Sequence, residues 1–238
     1  MNNTRRTFIK TAALGTAGLA MSARSYGRIL GANDRVRVGI VGFSDRAKGA
    51  LIPAFLHHNK ELNFDIVALS DIWNRRRDEG SAYLKEKTGN SVQLCRNNEE
   101  LYDTVADLDT VIVSTADFQH ALHCVQAVRA GCDAYVEKPF AETMQDARIA
   151  LKAVKESGKI VQIGSQRRSG KNYHAAHEYI QSGKFGKITM VEMTWNVNQP
   201  GRWRLPELTK SIRESDTDWE RYQMNRPRTT WDPRKYLE

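Results

Sequence analysis

Between Val36 and Gly164 the chain alternates short runs of β-branched and apolar residues with longer segments in which apolar residues recur at helical spacing. The short runs are typical of buried strands and the longer segments of amphipathic helices. The predicted strands are residues 36–41, 64–69, 92–95, 110–114, 134–136 and 160–163. The predicted helices are residues 47–58, 73–87, 98–104, 121–130 and 143–156. Strict alternation of this kind predicts an α/β fold, a doubly wound Rossmann-type parallel sheet with helices on both faces.

The pattern changes after Gly164. A helix is predicted over residues 173–182, ending at Gly183, and a longer strand over residues 187–197. Beyond Gln199 the chain is rich in Trp, Arg and Pro and shows no clear period. A chain of 238 residues has room for one full domain and part of another. We therefore predict a complete domain over residues 28–164 and an incomplete one over residues 165–238.

The first 27 residues have the layout of a removable export signal. Arg5 and Arg6 precede a weakly apolar run, residues 11–23, which is followed by small residues. The run is shorter than the ~20 residues that cross a bilayer as a helix, so no stable membrane anchor is expected. Adjacent arginines resemble the twin-arginine signal, which predicts export of the folded protein to the periplasm or beyond. An amphipathic N-terminal helix is the alternative.

Much of the positive charge lies in this same segment. The formal net charge is +8, and the four basic residues before residue 28 have no acidic residue among them, which leaves +4 for the remainder. The other basic residues are interspersed with acids, which argues against a nucleic-acid partner. The three cysteines, Cys95, Cys124 and Cys132, lack metal-ligand spacing and are interpreted as small apolar residues. No residue pattern suggests a metal site.

The turn after the first predicted strand is a candidate phosphate-binding site. Dinucleotide-binding turns place glycines for the bend, for approach of the pyrophosphate and for helix packing, and Gly42, Ser44 and Ala47 occupy these places here. Asp45 and Arg46 complete the turn, and the helix that follows offers free N–H groups to phosphate. By itself the match is weak, because an ordinary strand-to-helix turn also fits.

Asp71, at the end of the second predicted strand, strengthens this interpretation. A carboxylate there accepts hydrogen bonds from the adenosine ribose and repels a 2′-phosphate, which favours NAD over NADP. Residues 75–77 are three arginines that could offset this repulsion, so NADP stays open. Their alternative interpretation is a solvated helix face.

Two further strand ends carry polar side chains that would face the same crevice. Thr115 and Asp117 follow the fourth predicted strand, and Glu137 and Lys138 follow the fifth. A partly desolvated lysine near a nicotinamide ring can transfer protons or bind a substrate hydroxyl, and Glu137 could orient it. An exposed ion pair at a strand end is the alternative.

Together these motifs resemble the glucose-fructose oxidoreductase, inositol dehydrogenase and rhizopine-catabolism (Gfo/Idh/MocA) family, in what looks like its exported branch. The resemblance rests on five short motifs in the family's order: residues 38–42, Asp71, residues 115–121, 137–139 and 161–169. It covers residues 28–200 and, more loosely, extends to Asp232 and Pro233.

The resemblance implies NAD(P)-dependent oxidation or reduction at a sugar or cyclitol carbon, with a second domain built on a mainly antiparallel open sheet. It implies that Lys138 is the catalytic lysine. Cofactor contacts are implied for Gly42, Ser44, Ala47, Asp71, Thr115, His120 and Glu137. Gln166, Arg167 and Arg168 match a loop near the nicotinamide and substrate, with a solvated turn as the alternative.

Trp195 is a candidate for stacking on a sugar ring, although sheet packing explains a strand Trp equally well. His120 and His123, at the start of a helix, suit capping and packing better than metal binding, and His174 and His177 suit a solvated helix face.

Two departures from the family pattern shape the expectation for function. Ser44 and Ala116 replace the usual Gly and Pro, and the family's Asp and His that assist the lysine do not occur before Glu238. We therefore expect a truncated form that binds NAD weakly and turns over poorly. Homo-oligomers are expected only for a full-length form. An NAD-dependent glycosidase and a non-catalytic nucleotide-binding protein remain alternatives, and the lysine between Glu137 and Pro139 argues against the former.

Overall fold

The computed structural model describes residues 35–194, 196, 201 and 204–237. Six strands form its sheet: β1 Val36–Val41, β2 Phe64–Ser70, β3 Gln93–Cys95, β4 Thr110–Val113, β5 Asp133–Glu137 and β6 Val161–Gly164. A π-helical turn, Ala47–Leu51, leads into α1, and further helices follow each strand. These are α1 Ile52–His57, α2 Asn74–Thr88, α3 Asn98–Thr104, α4 His120–Arg129, α5 Met144–Ser157 and α6 Lys171–Gln181. Three short helices, α7 Pro206–Ser211, α8 Trp219–Gln223 and α9 Pro233–Leu237, lie beyond.

The strand order is β3-β2-β1-β4-β5-β6, and every pair is parallel. This is the order of a doubly wound dinucleotide-binding sheet, whose ligand crevice opens where the winding reverses, between β1 and β4. All six strands of this sheet were predicted to within one residue at each end. The predicted fold class of this region is therefore confirmed.

Alternation along the strands supplies a core on each face of the sheet. Val38 and Ile40 pack on one face with Phe43, whereas Val41 packs on the other with Val111. Side chains of successive strand residues point to opposite faces, so a sheet covered on both sides requires apolar residues at nearly every position. All three cysteines are buried and unpaired, as apolar core residues.

The ends of the helices follow local chemistry. Asn97 accepts a hydrogen bond from the Glu100 N–H at the start of α3, and Thr143 accepts one from the Asp146 N–H at the start of α5. Gly158 takes a left-handed conformation after α5 (φ +67°), which a glycine adopts without strain. These capping residues position the helices behind the sheet, with their first turns at its carboxyl edge.

The predicted strand over residues 187–197 is wrong where the structure describes it. Residues 187–194 are irregular, and Met190, Val191 and Met193 are 74–90% exposed. A strand is held by hydrogen bonds to a neighbour, and no strand among the described residues pairs with this segment. The mainly antiparallel sheet expected for residues 165–238 is likewise not formed by the part of the chain that the structure covers. Helix α6 is exposed throughout, including His174 and His177.

The last described part of the chain returns to the carboxyl edge of the sheet. Trp219 and Ile212 are buried, and α8 and α9 lie against the loops that follow β2 and β4. Over the described ranges, none of the helices has the length and apolar character to span a membrane. The predicted export signal, residues 1–27, lies outside the described residues.

Candidate functional site

A cleft of about 660 Å³ opens at the carboxyl ends of β1, β2 and β4. One wall is formed by the turn after β1 and by the ends of β2 and β4, and the opposite wall by residues of the C-terminal segment. The first wall contributes Gly42, Phe43, Ser44, Asp45, Asp71 and Thr115, and the second Tyr222, Met224, Arg228 and Tyr236. The volume is within the range of about 300–1,000 Å³ that small-molecule and cofactor sites occupy.

Gly42 makes the bend of the cleft. Its φ is +86°, and a Cβ there would lie 2.8 Å from Thr115 Cγ2 and 2.9 Å from the Ser114 carbonyl oxygen. The Gly42 N–H donates to the Ser70 carbonyl at 2.9 Å. Only a glycine fits both the conformation and the space, so the strand ends of β1 and β4 approach each other here as a dinucleotide turn requires.

Ser44 caps the start of the helical segment that follows β1, and this contact explains how a serine can stand where the usual residue is glycine. Its Oγ accepts a hydrogen bond from the Ala47 N–H at 3.1 Å and lies 2.6 Å from the Ser114 Oγ. The other N–H groups of this first turn have no hydrogen-bond partner within the helix. They lie at the helix end that faces the cleft, where the helix dipole favours an anion. Ala47 is fully buried and belongs to the same hydrophobic cluster as Phe43 of the turn.

Asp71 is fixed by the backbone on both of its carboxylate oxygens. Oδ2 accepts from the Phe43 N–H at 2.8 Å and Oδ1 from the Trp73 N–H at 2.9 Å. Burial raises the pKa of Asp71, while these two N–H groups and the nearby Arg76 and Arg77 act in the opposite direction. Each oxygen keeps an acceptor site for a ligand hydroxyl.

The Thr115 hydroxyl is buried and has no hydrogen-bond partner among the described residues. Buried polar atoms are nearly always paired, so the Thr115 hydroxyl keeps hydrogen-bonding capacity at the cleft wall. A bend without room for Cβ, an anion-favouring helix end, the Asp71 carboxylate and this hydroxyl together fit a dinucleotide.

The floor of the cleft carries a polar network that the sequence pattern did not reveal. Ser70 Oγ donates to Asn98 Oδ1 at 2.8 Å, and Asn98 Nδ2 donates to Gln126 Oε1 at 3.1 Å. His123 Nδ1 lies 2.9 Å from the same Gln126 oxygen, and burial lowers the pKa of His123 to about 4. His123 is therefore neutral at physiological pH, and its hydrogen-bond partners in this network hold the ring in place.

A second group of predicted residues gathers at the ends of β5 and β6. Glu137 is 4% exposed and accepts hydrogen bonds from Gln166 Nε2 at 2.7 Å and the Lys138 N–H at 2.9 Å, and it pairs with Arg46. Burial favours the neutral acid, but these donors prevail and hold the pKa of Glu137 below its usual value. A Cβ at Gly164 would lie 2.5 Å from the Glu137 carboxylate, so the glycine makes room for this network.

Lys138 is exposed at the end of β5, next to β4 in the sheet. Its ammonium has no hydrogen bond or ion pair with any residue that the structure describes. The residue thus lies at the same carboxyl edge as Gly42 and Thr115, one strand beyond the cleft.

His120 is placed differently from the expectation. It was predicted to contact the cofactor, but it is 1% exposed, with Nδ1 2.7 Å from the Pro139 carbonyl and Nε2 3.2 Å from the Thr115 carbonyl. Because both ring nitrogens face backbone oxygens, His120 joins the loops after β4 and β5 and acts as a positioning residue. Arg46, Glu137 and Gln166 likewise lie outside the cleft wall.

The predicted substrate residues are only partly placed. Arg167 and Arg168 are exposed in a short 3₁₀ turn after β6. This turn lies at the same end of the sheet as Glu137, and neither arginine is among the described residues that line the cleft. Trp195 lies outside the described residues. Among those residues, no group of His, Cys, Asp and Glu side chains is arranged to hold a metal ion.

This fold and cleft define a dinucleotide-binding Rossmann domain. The family model described as "Oxidoreductase family, NAD-binding Rossmann fold" (GFO_IDH_MocA) matches residues 36–165, which is more than half of the chain. The chain belongs to this family, and its Rossmann domain is an NAD-binding one. The resemblance inferred from the motifs is confirmed at the level of the family.

Three relatives show the range of the likeness. The chain is 29% identical to a 1,5-anhydro-D-fructose reductase of Ensifer adhaerens over 76% of this chain and 55% of that protein. It is 23% identical to a glycosyl hydrolase family 109 protein of Shewanella pealeana over 92% of this chain and 51% of that protein. The WlbA dehydrogenase of Bordetella pertussis, solved with NADH and UDP-GlcNAcA, has a TM-score of 0.56 and 20% identity over 65% of this chain and 44% of that one. The chain spans about half the length of these curated relatives.

Proposed function

We propose that this protein is an NAD-dependent oxidoreductase that transfers a hydride between NAD and a hydroxyl or carbonyl group of a sugar or cyclitol. The observation that carries the proposal is the convergence of Gly42, Asp71 and Thr115 on one cleft, with Lys138 at the end of the next strand. NAD supplies the hydride carrier, and the described residues supply binding, orientation and a lysine for proton transfer.

NAD is favoured over NADP by the charges around Asp71. Its carboxylate would repel a 2′-phosphate. The arginine nearest the cleft, Arg76, is paired with Asp45 at 2.9 Å and Glu79 at 3.2 Å, and Arg77 donates to the Asp71 carbonyl at 2.6 Å. Since acidic and carbonyl groups already engage these arginines, a 2′-phosphate would have to displace existing partners.

Lys138 is the proton-handling residue in this proposal. In the oxidation, the neutral amine of Lys138 accepts the proton of a substrate hydroxyl hydrogen-bonded to it while the carbon gives up its hydride; in the reduction, the resulting ammonium donates that proton to the carbonyl oxygen. Glu137 does not share that role, because Arg46, Gln166 and the Lys138 N–H occupy its carboxylate. It fixes the backbone from which Lys138 extends. Arg167, Arg168 and Trp195 are proposed to bind the sugar.

The N-terminal 27 residues are proposed to direct the folded protein through the twin-arginine machinery to the periplasm or the medium. This proposal rests on Arg5, Arg6 and the short apolar run after them. Loading of NAD before export is consistent with that route. Fusing residues 1–27 to a reporter and replacing both arginines by lysine tests it: loss of export supports the proposal, and undiminished export removes it.

A panel of sugars and cyclitols tests the reaction itself, with NAD or NADH and with the absorbance of reduced nicotinamide as the signal. We expect slow turnover of one substrate class. Lys138→Ala lowers kcat by about 10²–10⁴-fold without changing NADH affinity. Lys155→Ala, an exposed lysine on α5, is the matched control and keeps wild-type turnover. Equal rates for wild type and Lys138→Ala would remove the lysine from the mechanism.

A glycosidase that uses NAD transiently is the second candidate, favoured by the likeness to a glycosyl hydrolase family 109 protein over 92% of the chain. Aryl glycosides separate the two. Release of the phenol without net reduction of NAD supports the glycosidase, and reduced cofactor without phenol supports the oxidoreductase. Tight retention of nucleotide with neither activity supports a non-catalytic binding protein.

A further inference from the structure

The second wall of the cleft comes from a segment whose sequence shows no regular period. Residues 219–237, here called the cover, comprise α8, α9 and the loop between them. Tyr222, Met224, Arg228 and Tyr236 of the cover face the cleft across from Gly42 and Asp71. A ligand that occupies the cleft is therefore enclosed between the dinucleotide turn and the cover.

The cover is attached to the Rossmann domain at the rim of the cleft and beyond it. Gln119 Nε2 donates to the Tyr222 carbonyl at 2.7 Å, and Asn225 Nδ2 donates to Asp146 Oδ1 at 3.0 Å. The Arg226 guanidinium lies 3.6 Å from the centre of the Phe118 ring. These contacts join the cover to the turn that precedes α4 and to α5, so its position over the cleft is determined by the folded domain.

The cover is also held together internally by aromatic rings. Trp219 stacks on Tyr222 with ring centres 5.3 Å apart, and Tyr222 lies 4.6 Å from Tyr236. Trp231 contacts both Trp219 and Tyr236, at 5.4 and 5.8 Å. Contacts of this kind stabilise beyond the burial of the rings alone. Two short helices and a loop thereby form a rigid unit instead of a loose tail.

Tyr236 connects this unit to the ribose end of the cleft. Its ring lies edge-on to Trp73 at 5.9 Å, two residues after Asp71. Burial raises the pKa of the Tyr236 hydroxyl, and the charge of Asp71 adds to the effect. Flat aromatic rings beside a carboxylate that binds ribose suit an adenosine, because purines stack on aromatic faces.

We propose that the cover, residues 219–237, is part of the dinucleotide site and holds the adenosine half of NAD in the cleft, so that the cofactor dissociates only when the cover moves away. The inference rests on the proposed function, since it takes the cleft to be the NAD site. The inference adds the cover as a second wall of the NAD site, and the residues of the cover set how long NAD stays bound.

Dissociation kinetics test this directly in the full chain. NADH is bound first and displaced by excess NAD in a stopped-flow instrument, with NADH fluorescence as the signal. Tyr236→Ala is expected to dissociate on the order of tenfold faster than wild type. Tyr236→Phe keeps the ring and stays near wild type. Lys235→Ala, an exposed neighbour on the same helix, is the matched control and also stays near wild type.

The outcomes separate the two proposals. If wild type does not bind NADH, the proposed function fails. If wild type binds and Tyr236→Ala dissociates at the wild-type rate, the NAD site stands and the cover is removed from it. Equal acceleration by Tyr236→Ala and Lys235→Ala also overturns the inference, because it shows a general disturbance of α9.

Amide hydrogen exchange of the wild-type chain gives an independent result without substitution. Saturating NADH is expected to slow exchange in peptides from residues 219–237 and to leave peptides from α6, which is exposed throughout, unchanged. Protection confined to residues 42–47, 71 and 115 would contradict a role for the cover.

Discussion

Gly42 determines the geometry of the cleft more than any other single residue. Its positive φ and the closeness of Thr115 and Ser114 exclude any side chain, and the same bend directs the first helix at the ligand. Asp71 then closes the turn by accepting the Phe43 N–H. The site is therefore built into the backbone before any ligand arrives.

Gly42→Ala is expected to destabilise the protein by about 1–3 kcal/mol through backbone strain, and to abolish measurable NADH binding. Gly49→Ala is the matched control: it lies in the adjoining helical turn with no atom within 4 Å of its added Cβ. That change should stabilise by roughly 0.5–1 kcal/mol. Denaturant unfolding and NADH titration of both variants check the contrast, and equal behaviour of the two alanines would contradict it.

Glu137 makes the stability depend on pH. Its pKa is lowered in the folded protein, so its stabilisation is complete above the ordinary value of 4.5 and is lost as the pH falls through the lower folded value. Glu137→Gln should cost about 1–3 kcal/mol at pH ~7, and the difference from wild type should shrink at pH ~3. Urea unfolding at both pH values measures this. Glu178→Gln, an exposed residue on α6, should show no such trend.

Residues whose role is local could be predicted from the sequence, and those defined by distant contacts could not. Gly42 and Asp71 stand at strand ends, where residue type and position along the chain suffice. The pairing of Ser44 with Ser114, 70 residues away, and the burial of His120 between two loop carbonyls exist only after folding. Those contacts explain why serine is tolerated and why His120 does not reach the cleft.

At the level of elements, α2 is held against β2 by a glycine. A Cβ at Gly80 would lie 2.4 Å from Leu69 Cδ2 and 2.9 Å from Phe43 Cγ, so the helix packs directly on the side chains that support the cleft. Phe43 also supplies the N–H that fixes Asp71. The position of a helix is thereby coupled to the ligand site.

Gly80→Ala is expected to destabilise by about 1–3 kcal/mol, since overpacking outweighs the gain in helix propensity, and to weaken NADH binding by shifting Phe43. Unfolding and titration are measured in parallel with Gly49→Ala. Unchanged binding in a destabilised Gly80→Ala would mean that Phe43 does not transmit the shift.

Elements were predictable where burial is complete and unpredictable where a partner is needed. Strands covered on both faces appear as continuous apolar runs, which is why the central strands β1 and β4 were found from the sequence. Residues 187–194 have the composition of a strand but no described strand beside them, and they are irregular. Composition cannot supply the neighbour that a strand requires.

At the scale of the whole molecule, the six strands and the helices between them were predicted from the sequence, and the contacts of the C-terminal residues were not. Residues 165–238 are predicted to form an incomplete second domain, and within that range the cover contacts the cleft region through Gln119, Phe118 and Asp146. These contacts join residues some 80 to 110 positions apart and leave no periodic signal. Export and the full reaction remain proposals at this scale.

Calorimetric titration of NAD into the wild-type chain, Asp71→Ala and Asp65→Ala tests the central claim most directly. Asp65 is the matched control, because it lies at the amino end of the same strand and pairs there with Arg35. The account predicts one site in wild type, unchanged affinity in Asp65→Ala, and affinity lower by on the order of ten- to a hundredfold in Asp71→Ala. No heat of binding in wild type, or equal affinity in all three proteins, would contradict it.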